Sequence, residues 1–166
     1  MSPNGVVDIG IAEDGQFVAT WLDSQVEKRA QLADREVTGV AISPNLCLFA
    51  TSSGEGTVKL WDLATFQEQG LFQGTLLGVH SVVFSPDGRR LATGSGGRES
   101  IKLWDLETRQ ELLTFGGKGS FFADVAFSPD GTLLGASSPP NRLLHVWRAP
   151  SWGEIEAAET AQGKTP

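Results

Sequence analysis

The chain has 166 residues, 40% of them hydrophobic, a formal charge of −7 and a single cysteine. That length is about one domain's worth, with apolar content enough for a core. The charge argues against a phosphate-neutralising surface, since nucleic-acid affinity comes mostly from lysine and arginine displacing counterions, and no run approaches the roughly 18 apolar residues of a membrane helix. Cys47 has no partner for an intramolecular disulfide, and the opening MSPNGVVDIG lacks the basic stretch and apolar core of a secretion signal, so a soluble, cytoplasmic protein is expected.

Along the chain, the first patterned segment is VDIGIAEDG (Val7 to Gly15), which aligns with ADVAFSPDG (Ala123 to Gly131), QFVAT then matching RRLAT. A rival register equates Trp21 with Trp61. The first is preferred, and because Asp14 and Asn45 are only 31 residues apart this opening unit is about one strand short. ISPN (Ile42 to Asn45) and VKLWDL (Val58 to Leu63) mark the next unit, in which Cys47, between Leu46 and Leu48, is expected to be buried as a small hydrophobe. FSPDG (Phe84 to Gly88) and IKLWDL (Ile101 to Leu106) mark the third, the latter displaced by 43 residues from its copy. FSPDG (Phe127 to Gly131) and LHVW (Leu144 to Trp147) mark the fourth, again 43 residues on, and this unit too looks one strand short.

Within a unit the hydrophobic period is two: VHSVVFS, RLATGS, SIKLWDL and QELLTF are short apolar or β-branched runs separated by Pro-Asp-Gly, Gly-Gly and Glu-Thr-Arg. The pattern predicts four-stranded antiparallel meanders, in approximate units 1–32, 33–74, 75–117 and 118–149. Ser-Pro-Asp-Gly supplies the first turn, because proline presets its entry and glycine accepts the positive φ. Beyond them SWGEIEAAET changes character. Ser151 and Glu154 have capping-box spacing and Trp152, Ile155 and Ala158 share one helical face, which predicts a short helix over 150–161 followed by a disordered end, 162–166.

On these motifs residues 6 to 149 resemble the WD-repeat family. Trp61-Asp62 and Trp104-Asp105 are full copies of its strand-end pair, and Trp147 keeps the tryptophan with Arg148 beside it. The resemblance implies an all-β fold, a β-propeller of four-stranded antiparallel blades, about four per chain and so a partial ring. The family's Gly-His signature is missing, Gly74-Thr75 and Gly117-Lys118 standing in its place. The histidine, serine or threonine, aspartate and tryptophan network of the family is therefore expected to be incomplete, and blade cohesion to rest on apolar packing.

A blade presents apolar side chains on both faces, each covered by its neighbour in the ring. If each bare end face of the arc exposes about 400 Å² of apolar surface, roughly 10 kcal/mol of transfer free energy stays ungained there. A closed four-bladed ring, a homodimer completing an eight-bladed ring, or a fragment of a longer propeller would each answer this. The family's habit of closing in sevens or eights favours the last two.

No catalytic, cofactor-binding or metal constellation emerges. GGKGS (Gly116 to Ser120) lacks the first glycine of a phosphate loop, with Leu112 in its place. His145 occupies the repeat position of Lys59 and Lys102, read as a polar, solvated strand position, and His80 falls at a variable one. Asp62, Asp87, Asp105 and Asp130 recur at fixed offsets and read as turn residues. What departs from the repeat is a rim of loops carrying Leu76, Leu77, Arg98, Lys118 and Phe121, the candidate contact surface for a protein or peptide. The expected function is a non-catalytic protein-protein interaction scaffold; the alternative is an accessory or regulatory propeller domain of a larger bacterial enzyme such as a kinase or peptidase.

Overall fold

The computed structural model describes residues 37–73, 77–96, 101–116 and 121–149, together with the backbone strands β1 (Val7–Ile11), β2 (Phe17–Trp21) and β3 (Val26–Ala30). The helix expected over 150–161 and the end 162–166 lie outside the described residues.

All pairing is antiparallel and sequential. β1-β2-β3 form one sheet, with Trp21 on the middle strand opposite Val7 and Val26. β4 (Val37–Ile42), β5 (Leu48–Ser53), β6 (Thr57–Asp62) and β7 (Glu68–Gln73) form a second. β8 (Val79–Phe84), β9 (Arg90–Ser95), β10 (Ile101–Asp105) and β11 (Glu111–Phe115) form a third. β12 (Asp124–Phe127), β13 (Leu133–Ser138) and β14 (Leu143–Arg148) form the last, with a 3-10 turn at Pro139–Asn141. Two four-stranded meanders thus stand between two three-stranded ones, an arrangement of blades in a partial β-propeller, and the opening and closing sheets are each one strand short among the described residues.

The period-two pattern turns out to be burial on both faces of a sheet rather than a buried face against a wet one. On β6, Val58 and Leu60 point toward the third sheet and pack with Val82, Phe84, Leu91 and Trp104, whereas Trp61 points the other way onto Phe49 and Leu63. On β10, Ile101 and Leu103 face the last sheet and meet Phe122, Val125, Leu134 and Ala136, while Trp104 faces back. Each such side chain contributes about 1.5–3 kcal/mol by leaving water, so neighbouring blades hold each other through these layers. β4, β8 and β12 run side by side along the inner edge.

Turn chemistry fixes the first hairpin of each blade. The Ser85 hydroxyl donates to Asp87 (2.5 Å) and accepts from the Arg90 amide (2.9 Å), the Asp87 carboxylate accepts from the Arg89 amide, and Gly88 takes φ +67°. Ser128, Asp130 and Gly131 (φ +72°) repeat this. In the second sheet Ser43 and Asn45 do the same, yet Leu46 sits at the glycine position with φ +56°.

Two expectations are corrected. Cys47 is exposed, because it belongs to this turn, its amide bonded to Asn45 Oδ1, and β5 starts one residue later. Lys102 is 4% exposed instead of solvated, because β10 is covered by β11 and by the second sheet.

Candidate interaction rim

The Trp-Asp strand ends act as scaffold. Trp61 and Trp104 are buried, and each donates its indole N-H to a threonine hydroxyl on the neighbouring strand, Thr51 at 3.0 Å and Thr93 at 3.1 Å. Half of the expected network is therefore intact in the two complete blades. The last sheet has Ala136 where those threonines stand, and Trp147 is half-buried, 5.2 Å from the Phe115 ring and 5.6 Å from that of His145.

Asp62 and Asp105 hold the turns that follow. The Asp62 carboxylate accepts from the amides of Ala64 and Thr65 and from the Thr65 hydroxyl (2.8 Å), and Asp105 does so from Glu107 and Thr108. These bonds favour the charged form, so both carboxyls titrate below the usual range, the Thr65 hydroxyl being the chief cause at Asp62 and the Thr108 amide at Asp105. The Ser85 hydroxyl lowers Asp87 in the same way, and the Ser128 hydroxyl leads the effects that bring Asp130 to about 2.

The repeated lysine has a cross-strand partner. Lys102 Nζ lies 2.6 Å from Glu111 Oε2, reaches the Thr114 hydroxyl at 3.3 Å and sits 5.9 Å over the Trp104 ring. That bond holds the Glu111 carboxyl below its ordinary pKa. Lys59 and Glu68 repeat the pair more loosely, at 3.9 Å. His145 occupies the same place in the last sheet with its Nε2 buried and without a hydrogen-bond partner.

On the rim, Leu76, Arg98 and Lys118 lie outside the described residues. Leu77 is 53% exposed at the entry to β8. The next residue, Gly78, presses against the turn of the second sheet; a Cβ there would meet the Gly54 carbonyl oxygen at 2.5 Å, so only glycine permits this approach. Phe121 is half-buried: its ring lies 4.1 Å from that of His80 on the preceding blade, and its backbone bridges to Gly96. His80, passed over in the sequence as a variable position, thus belongs to the rim, and desolvation lowers its pKa. Nearby, the Thr38 hydroxyl donates to the Val79 carbonyl and shares a 3.0 Å hydrogen bond with Ser52, tying β4 to β8. Among the described residues no group of three or more histidine, cysteine, aspartate or glutamate side chains is placed to hold a metal, and no helix is long and apolar enough to cross a membrane.

Four-stranded blades with a buried tryptophan and a turn aspartate at the end of the third strand define a propeller-repeat protein. The model of the WD domain, G-beta repeat, matches residues 29–62 and 66–105, so these two stretches are WD repeats, as their Trp-Asp strand ends imply. It is 33% identical over 103 residues to an uncharacterized WD repeat-containing protein, sll1491, of Synechocystis, covering 55% of this chain and 30% of that one. A match to the WD repeat-containing protein SL1-17 of Schistosoma mansoni is 33% identical, covering 52% and 29%, and one to transducin beta-like protein 3 of Rattus norvegicus is 36% identical, covering 48% and 10%. The chain therefore spans less than a third of the length of these relatives.

Proposed function

We propose that the chain is a non-catalytic protein-protein interaction scaffold, presenting the rim of Leu76, Leu77, Arg98, Lys118 and Phe121 to a protein or peptide. The observation that carries this is Leu77, a large apolar side chain more than half exposed beside the aromatic pair His80 and Phe121. WD repeats generally mediate such contacts. The test is affinity capture with the native chain and with Leu77→Ser/Phe121→Ser, the retained proteins being compared by mass spectrometry. Loss of a retained protein is expected, and an unchanged set would overturn the assignment to this rim.

The arc also needs covering at its end. On the last sheet Leu133, Leu144 and Val146 are 37%, 73% and 58% exposed on the face turned away from the third blade. A second copy completing the ring would bury this face as β10 buries its own against the last sheet. That is the self-association the proposal includes.

A further inference from the structure

The interface between the second and third sheets and that between the third and last differ at one place. In the first, Leu48 from one side and Leu106 from the other pack against the layer of Phe84, Leu91 and Trp104. In the second, the corresponding pair is Arg90 and Ala149. The backbone sets this equivalence. Leu48 opens β5 after Ser-Pro-Asn-Leu-Cys as Arg90 opens β9 after Ser-Pro-Asp-Gly-Arg, and the Leu106 amide donates to the Arg89 carbonyl at 3.0 Å as the Ala149 amide donates to that of Thr132 at 2.8 Å. Two leucines are thus replaced by a guanidinium and a methyl, and a cavity of about 220 Å³ opens there. Leu103, Phe115, Phe127, Leu134 and Trp147 give it apolar walls, the rings of Phe115 and Trp147 lying 5.2 Å apart.

We infer that this cavity binds a small aromatic carboxylate, its ring among the walls formed by Phe115 and Trp147 and its anionic group on Arg90 and Arg148. The size fits a ring with a short substituent, since an apolar cavity of about 150 Å³ lined by aliphatic and aromatic side chains already stays dry and binds benzene. Aromatic walls on two sides favour an aromatic guest through offset and edge contacts. The site lies at the opposite end of β8 from Leu77, so it is separate from the proposed rim.

Charge selects the substituent. Along β9, Leu91 faces the second sheet and Ala92 the last, so alternation puts Arg90 on the same face as Ala92, beside the cavity it lines. Arg148 lines the cavity too, at the repeat position of Asp62 and Asp105, so a strand end that carries an anion in the two complete blades carries a cation here. Asp87 and Asp105 act on Arg90 as neighbouring charges, and the five donors of a guanidinium serve more than one carboxylate. A neutral ring would forgo these donors, and a bare anion would leave the apolar walls unfilled. The chain as a whole carries a charge of −7, so any preference for an anion has to come from these two side chains.

The test is NMR titration of the full-length, methyl-labelled chain with phenylacetate and with phenylacetamide, its neutral counterpart of the same shape. Saturable binding of phenylacetate below about 10 mM is expected, with NOEs from its ring to the methyls of Leu103, Leu113 and Leu134. Its affinity should exceed that of phenylacetamide by about tenfold or more, as hydrogen bonds to a charged group provide. No saturable binding, or NOEs only to other residues, overturns the proposal. Ala149→Leu restores the side chain that Leu106 supplies one blade earlier, so it should raise the melting temperature and abolish binding; a folded Ala149→Leu chain that still binds contradicts the site. A more stable Ala149→Leu chain beside a native chain that binds neither probe marks an empty packing gap and likewise overturns it. Arg90→Gln/Arg148→Gln should bring the two probes within about twofold of each other, and a retained preference for phenylacetate removes the arginines from the account.

Discussion

Removing the hydroxyl of Thr93 isolates what the Trp-Thr bond contributes to a blade. Thr93 and Trp104 are 1% and 4% exposed, and the indole N-H donates to the Thr93 hydroxyl at 3.1 Å. Thr93→Val keeps the shape of the side chain and leaves that donor buried and unsatisfied. An orphaned buried donor costs about 1–3 kcal/mol, whereas removing both partners together is close to neutral for the hydrogen bond itself. The midpoint of urea unfolding, followed by tryptophan fluorescence at fixed protein concentration, should fall accordingly, and the melting temperature by roughly 2–4 °C per kcal/mol. Trp104→Phe also gives up packing against Phe72, whose ring lies 5.7 Å away, so the informative quantity is the coupling. The double variant should be less destabilised than the sum of the singles by about 1 kcal/mol or more. A Thr93→Val variant within about 0.5 kcal/mol of the native chain, or strict additivity, would refute the reasoning.

Leu46→Gly should stabilise the chain by about 1 kcal/mol, because Leu46 holds φ +56° where the sister turns use Gly88 and Gly131, and at 40% exposed it gives up little burial; a lower melting temperature would contradict this. The turn aspartates make stability fall with acid. Their folded pKa values lie below the unfolded ones, so the stabilisation is full above about pH 5 and is lost as the pH falls through about 4 toward about 2, the value at Asp130. Asp130→Asn should lessen that fall while keeping the turn, since Asn45 already accepts from Ser43 in the same role; an acid limb as steep as that of the native chain in urea titrations would count against it.

Much of the fold was legible because it repeats. Strand positions, the Ser-Pro-Asp-Gly hairpins and the turn role of Asp62 and Asp105 all follow from comparing copies. Lys102 was misread because a lysine alternating with apolar residues looks like a wet face, although Glu68 and Glu111 recur at the same offset from Lys59 and Lys102 and signal the cross-strand pair. Cys47 was misread because its neighbours are leucines, although alignment of Ser-Pro-Asn-Leu with Ser-Pro-Asp-Gly puts it in the turn. The threonine acceptors were likewise visible as Thr51 and Thr93 against Ala136. Contacts between blades were not legible: that Phe121 folds onto His80, 41 residues earlier, depends on how blades abut, and no local pattern encodes it.

The proposed scaffold is an arc of blades that would offer its rim to partners while a second copy covers its end. Light scattering on the purified 17.7 kDa chain tests this most directly. A discrete particle of twice that mass, which dissociates when Leu144 and Val146 are replaced by lysine, is predicted. A monodisperse monomer at high concentration that binds no hydrophobic dye would contradict it.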